Sequence, residues 1–314
     1  MNILTFDIEE WYLEKTLYGG HAEKYALYDD YLSKILDLLD RRGVKATFFC
    51  VGGMGEFFPE VVKKIDARGH EVGCHSYRHT WLNKMTDAEA REDTKRAVDA
   101  LEQCLGKKVL SYRAPAFSVG GGNLSVFNVL HECGIERDAS VFPAVRDFGG
   151  FSDYPVSAPS WVNTYSAKLK EFPVCMTKIL GREMAYSGGG YFRFFPLGFI
   201  KSRMKGSDYN MCYFHIGDLV PSSNRMMSRK DYEDYFKEPG SYANRMKRYF
   251  KSNIGKGSAF QKMVSLIEQT DFVSIEQADS MIDWSQAADV KVYALEADKN
   301  LLSPLDEVRR VNID

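Results

Sequence analysis

The chain has 314 residues, 45% of them apolar, and a formal net charge of −2. That is enough apolar material for a large core in one large domain or two small ones, and the near-neutral balance excludes a dedicated nucleic-acid or anionic-membrane binder. The six cysteines lack CxxC spacing and several sit inside apolar runs, so they read as buried thiols of a reducing compartment and not as a disulfide framework.

The opening stretch, MNILTFDIEEWY, has neither a basic segment nor a long apolar one, which excludes a signal peptide there. It reads as a strand from the first residues. No apolar run elsewhere reaches the ~18 residues a membrane span needs, and the expected location is the cytoplasm. Leu32, Ile35, Leu36 and Leu39 recur at helical spacing within 27–41, and Gly43 closes that helix. Val44 to Val51 reads as a buried strand, Pro59 opens a helix that runs to Gly69, and a short strand leads into His75. Thr86 and Glu89 have the spacing of a capping box before another helix. Val109 to Tyr112 is a predicted strand, 123–133 a helix, and Gly134 to Asp138 leads into a further strand end. Strand and helix alternating at this spacing predict parallel strands with right-handed crossovers, in a barrel or a doubly wound sheet. From about 145 to 208 the rhythm breaks into a stretch rich in Pro, Gly, Ser and aromatics, expected to be a structured excursion over the active face. The rhythm resumes with a strand over Asn210 to Ile216, a helix over Phe260 to Gln269 and a strand over Phe272 to Ile275. The last forty residues hold one plausible strand, Val290 to Leu295, and a charged tail.

Polar residues cluster at the predicted C-terminal strand ends, where barrels carry their chemistry: Asp7, His75, Arg113 and Asp138. In GHEVGCHSYRHT, a helical turn would bring His75 and His79 onto one face as a pair of metal ligands, or they are two unrelated histidines. Strand periodicity puts Asp7 and Glu9 on one side and Glu10 on the other. Two carboxylates near two histidines suggest a hydrolytic metal site, one carboxylate completing the ligand set and the other serving as general base; the alternative is a solvated acidic strand end. His215 ends an apolar strand and is either a proton donor to a leaving amine or a satisfied core histidine. Arg113 stands before a proline turn where it can pair with a carboxylate, and Asp138 can orient an imidazole or cap a turn.

The segments TFFCVG, PEV with GHEVGCHSYRH, YRAP and YFH occur in an order that resembles the polysaccharide deacetylases with a NodB homology domain, carbohydrate esterase family 4. The resemblance runs from Met1 to about Gln277. It is greatest to an exopolysaccharide-associated branch, through Asp7-Ile8-Glu9-Glu10-Trp11 and the GGGYFR segment, Gly188 to Arg193. It implies an α/β fold, a distorted (β/α)7 barrel of the NodB type, over 1–280 with a C-terminal extension over 281–314. It also implies a divalent metal, most often Zn2+, and removal of an N-acetyl group from an amino sugar of a polysaccharide or glycan precursor. Carried over residue by residue, Asp7 is the base, His75 and His79 are metal ligands, His215 is the acid, Arg113 supports the base and Asp138 tunes the acid. Most members have a second aspartate where this chain has Ile8, and Glu9 is the natural substitute as third ligand.

Tyr186, Tyr191 and Arg193 are the candidates for sugar contacts, offering aromatic faces and a guanidinium, unless GGGYFR is a structural turn covering the barrel. The expected partner is an N-acetylated sugar, oligosaccharide or lipid- or nucleotide-linked precursor. The competing readings are a metal-independent cyclic-amide hydrolase resembling allantoinase, a sugar deformylase, and a barrel that binds glycan without turnover.

Overall fold

The computed structural model describes residues 1–146, 148–221, 226–236 and 238–292. Strand β1 (Asn2–Ile8) buries Ile3, Leu4, Phe6 and Ile8 completely. A strand apolar on both faces belongs inside a parallel sheet covered on both sides. Helices α1 (Glu10–Tyr18) and α2 (Ala22–Arg42) follow, and Leu32, Ile35, Leu36 and Leu39 form the buried stripe of α2. The chain then alternates through β2 (Thr47–Cys50), α3 (Gly53–Phe57), α4 (Pro59–Ala67), β3 (Glu71–Cys74), α5 (Asp87–Leu105), β4 (Ser111–Tyr112), α6 (Val126–Glu132) and β5 (Arg137–Asp138). Pro59 stands in the first turn of α4. Thr86 and Glu89 close a reciprocal capping box on α5.

Beyond β5 the structure departs from expectation. Strands β6 (Ser160–Asn163) and β7 (Lys168–Glu171), from within the irregular stretch, enter the main sheet as an antiparallel pair. Strands β8 (Met176–Ile179) and β9 (Arg182–Ala185) form a separate hairpin. Then come α7 (Gly189–Phe194), α8 (Leu197–Lys205), β10 (Asn210–His215), α9 (Ile216–Leu219), α10 (Arg229–Phe236), α11 (Tyr242–Asn253), α12 (Lys256–Glu268), α13 (Ile275–Met281) and β11 (Ala288–Lys291). The strand expected over Phe272 to Ile275 reduces to one bridge between Val273 and Ile3, because Ser274 and Gln277 form a capping box and start α13. Of the strand expected over Val290 to Leu295, residues 293–295 lie outside the described residues.

The main sheet runs β10-β1-β2-β3-β4-β5-β7-β6-β11 and is parallel except between β6 and β7. Arg113, just past β4, donates to Thr5 and Asp7 on β1 and touches Met211 on β10. In a flat sheet β4 and β1 would lie about 14 Å apart, three spacings of ~4.8 Å. The sheet therefore curls on itself, as the distorted α/β barrel of the NodB type requires, with Arg113 in its interior. Gly73 on β3 shows how tight that interior is: a Cβ there would come within 2.6 Å of the Phe49 ring. Among the described residues no helix is long and apolar enough to cross a membrane.

Candidate active site

Strand β1 delivers two carboxylates to one end of the barrel. Asp7 is 2% exposed and lies opposite His215 in the β1–β10 register. Its Oδ1 accepts from Arg113 Nη1 at 2.8 Å, and its Oδ2 is 3.6 Å from His215 Nε2. Arg113 is 0% exposed and is fixed from several sides. Nη1 also donates to Thr5 Oγ1 (2.8 Å), Nε donates to the Ala139 carbonyl (3.2 Å), and the guanidinium lies 4.3 Å from the Phe49 ring centroid. A planar cation held this way gives Asp7 a counter-charge that cannot move away.

Glu9 turns to the histidines. Its Oε2 is 2.6 Å from His79 Nε2 and 3.7 Å from His75 Nε2, and one ligand atom from each of the three residues lies within 4.8 Å of the others. Burial opposes the charge on Glu9, but the imidazoles of His79 and His215 outweigh it and hold the carboxyl well below the usual range. Glu10 points elsewhere. Its carboxylate accepts from the Gly217 N–H at the start of α9, and burial, with the neighbouring Glu9 charge, pushes its pKa up to about 7.

His75 and His79 converge, with ring centroids 5.2 Å apart, but not through a helical turn. Residues 75–80 form a loop in which Ser76 (φ 62°) and His79 (φ 59°) are left-handed. A side chain other than glycine in that region costs of order 1 kcal/mol or more and persists only where its surroundings over-determine it. Here the Gly52 and Gly53 N–H groups donate to the Ser76 and Tyr77 carbonyls, Tyr77 N–H donates to Asp93 Oδ2 (2.8 Å), and Thr80 N–H to Ser76 Oγ.

The three residues fit a divalent metal. Two imidazoles and a carboxylate make the donor set of an open zinc site. Glu9 Oε2 is buried without a hydrogen-bond donor in proper geometry, although His79 Nε2 is at contact distance. His75 Nδ1 is hydrogen-bonded to the Arg113 carbonyl at 2.7 Å, which fixes the ring and leaves Nε2 facing the cluster. The Tyr235 hydroxyl, from α10, stands 3.4 Å from His79 Nδ1.

On the other side of Asp7, His215 caps α9, and its Nδ1 is 3.3 Å from Asp218 Oδ2. Burial works against the imidazolium, yet Glu9, the Asp218 hydrogen bond and Asp7 lift its pKa to about 10. The carboxylate at His215 Nδ1 is therefore Asp218, three residues on, and not the Asp138 given by the resemblance. Asp138 lies across the β5–β7 register from Glu171, where the two buried carboxyls share a hydrogen bond, and Ser140 donates to Asp138 Oδ1 at 2.5 Å. Burial raises Asp138 to about 6; burial and the Asp138 charge raise Glu171 well above the carboxylate range. One of the pair holds a proton that an unfolded chain loses near pH 4. The pair thus stabilises fully below that pH, and the contribution is lost as pH rises, through about 6 for Asp138 and higher for Glu171. Glu171→Gln should flatten the fall in stability between pH 5 and 8 in urea unfolding; parallel pH profiles would show that no proton is shared.

The sugar-contact candidates fare differently. Tyr186 is 1% exposed and donates to Asn210 Oδ1 at 2.5 Å, so it is a core residue. Arg193 is 7% exposed. It donates to the Ser252, Ile254 and Lys251 carbonyls, and its Nε lies 3.3 Å from Asp218 Oδ1, so it clamps the C-terminal end of α11 and supports the partner of His215. Neither presents a face to a ligand. Tyr191 is half-buried beside Phe142. Sequence reasoning missed Asp218, Tyr235, Glu171 and Thr5. Only Asp218 carried a signal, its spacing of three from His215.

Residues 3–137 match the family described as polysaccharide deacetylase, and residues 139–280 match DUF3473, a domain of unknown function. The peptidoglycan-N-acetylglucosamine deacetylase of Bacillus cereus is 36% identical over 99 residues, 30% of this chain and 36% of that protein. A chitin deacetylase of Pestalotiopsis is 37% identical over 103 residues, 32% of this chain and 35% of that protein. These matches span about a third of the length of either relative. The solved structure of a candidate polysaccharide deacetylase from Mycobacterium smegmatis superposes with a TM-score of 0.59 at 16% identity, covering 92% of both chains, which is a likeness of fold. Over residues 3–137 the chain belongs to the polysaccharide deacetylase family.

Proposed function

We propose that this chain is a metal-dependent hydrolase that removes the N-acetyl group from an amino sugar of a polysaccharide or glycan precursor. The observation that carries the reading is the convergence of Glu9, His75 and His79 beside an Arg113-held Asp7 and an Asp218-held His215. The relatives named for peptidoglycan and chitin deacetylation support the substrate class. The catalytic unit is residues 1–280, with 145–208 beside the active face and 281–314 an extension. Free thiols, four of six buried, support a cytoplasmic location.

Glu9, His75 and His79 would hold the metal, most suitably zinc, which supplies Lewis-acid polarisation of the amide carbonyl. Asp7 takes a proton from the attacking water, and its orientation is set by Arg113. His215 enters as imidazolium and protonates the sugar nitrogen as the C–N bond breaks, so acetate and a free amine leave. Asp218 keeps the His215 ring turned with Nε2 towards Asp7. The test is metal content after dialysis together with acetate release from N-acetylglucosamine oligomers. Glu9→Gln should lower zinc affinity more than tenfold, while Glu10→Gln, whose carboxylate serves Gly217, should stay within about twofold. Equal losses would remove Glu9 from the ligand set. Full acetate release in excess chelator would show that the hydrolysis needs no metal.

A further inference from the structure

A cavity of about 440 Å³ lies one aromatic layer from the ligand triad. That volume falls within the range of small-molecule sites, about 300–1,000 Å³. Trp81, two residues past His79, forms part of its wall, and the Trp81 ring meets Tyr235 edge-on at 6.3 Å. Tyr235 in turn reaches His79. Trp81, Phe148 and Phe236 make a continuous aromatic wall, with Trp81–Phe148 centroids 4.7 Å and Phe148–Phe236 centroids 5.2 Å apart. The Arg248 guanidinium stands over Phe148 (4.7 Å) and Phe236 (4.2 Å), and a ring face left uncovered in this wall suits the polarised C–H groups of a pyranose.

The lining is also cationic. Arg146 lines the cavity, wedged between the rings of Phe142 (4.5 Å) and Phe117 (5.1 Å), and its Nη1 is buried with no hydrogen-bond acceptor. A buried charged donor without an acceptor is costly, and a guanidinium is shaped to pair with carboxylate or phosphate oxygens. Lys84 lies on the same rim. A second cavity of about 190 Å³ shares Phe148 and Glu238 with the first and adds Lys247 and Arg248. Glu238 is the one carboxylate among these residues. For a chain of net charge −2 this is a local concentration of positive charge.

We propose that this cavity seats an anionic group on the sugar next to the one that loses its acetyl group, with Arg146 as the reading residue. The proposal rests on the deacetylase reading above. The anion is a carboxylate or a phosphate, and the two are separated by the probes. Calorimetry compares a hyaluronan tetrasaccharide, which alternates glucuronate with N-acetylglucosamine, with the neutral chitin tetrasaccharide and with diacetylchitobiose 1-phosphate, whose phosphate stands on the second sugar. The unaltered protein should bind one of the anionic probes at least tenfold tighter than the neutral tetrasaccharide. Hyaluronan gaining alone identifies the carboxylate, and the sugar phosphate gaining alone identifies the phosphate. Arg146→Gln should abolish the gain while leaving the neutral probe within twofold, and Lys84→Gln, on an exposed residue, should weaken it in the same direction without touching the core. No preference for either anionic probe, or equal losses for charged and neutral probes in Arg146→Gln, overturns the proposal. Binding is read without turnover, so absence of acetate release from every sugar would sink the deacetylase reading and leave this result legible.

Discussion

Asp7→Asn should keep its metal and its fold and lose two to four decades of kcat, the scale of a general base, or about 3–5 kcal/mol of transition-state stabilisation. The substitution is close to isosteric, and an amide oxygen can still accept from Arg113 at the position Oδ1 now occupies. What it cannot do is take a proton from water. The other oxygen faces His215 Nε2 at 3.6 Å, so the proposed base and the proposed acid lie side by side on paired strands. Initial rates of acetate release, with zinc content measured on the same samples, decide the matter. A variant within tenfold of the unaltered enzyme moves the base to another residue.

Arg113→Met should be the most destabilising single change near the site, by about 3–5 kcal/mol in urea unfolding, the cost of breaking a buried ion pair by removing one partner. Methionine fills part of the volume but leaves Asp7, 2% exposed, without the Arg113 charge and with only the more distant His215 imidazolium, 3.6 Å away, beside it. It also leaves the Thr5 hydroxyl and the Ala139 carbonyl without their donor. Adding Asp7→Asn to Arg113→Met should recover part of the loss, because the stranded charge is then gone. A single variant less than about 1 kcal/mol below the unaltered protein would mean that water reaches Asp7 and the pair is not buried in solution.

The apolar runs made β1, β2 and the stripe of α2 readable, since burial on both faces or on one stripe leaves a local signature. Asp7 lies on β1, whereas Glu9 falls one residue beyond its end, at the N-cap of α1, where alternation no longer applies. His75 and His79 have the spacing of a helical pair and meet by another route. The two left-handed residues of their loop are held by Asp93 of α5 and by the backbone at 52–53, contacts that no window around residue 75 contains. Tyr186 and Arg193 misled for the same reason. A Gly-rich aromatic stretch reads as exposed until Asn210 and the carbonyls of residues 251, 252 and 254 close around it. The start of α13 was legible. Ser274 and Gln277 carry the signal that located α5, and the apolar run before them obscured it.

The β1–β10 pairing imposes an order on assembly during synthesis. Glu9, His75 and His79 all emerge within the first 79 residues, whereas His215, the register partner of Asp7, emerges 208 residues after it (215 − 7). A nascent chain released as far as β5 holds every residue of the ligand cluster but presents β1 with a bare strand edge on the β10 side. Closing that edge is a long-range contact and comes late. On the proposed reading, the growing polypeptide would therefore carry a complete ligand cluster before it has its proton donor, and the donor would arrive in the same step that pairs β10 with β1.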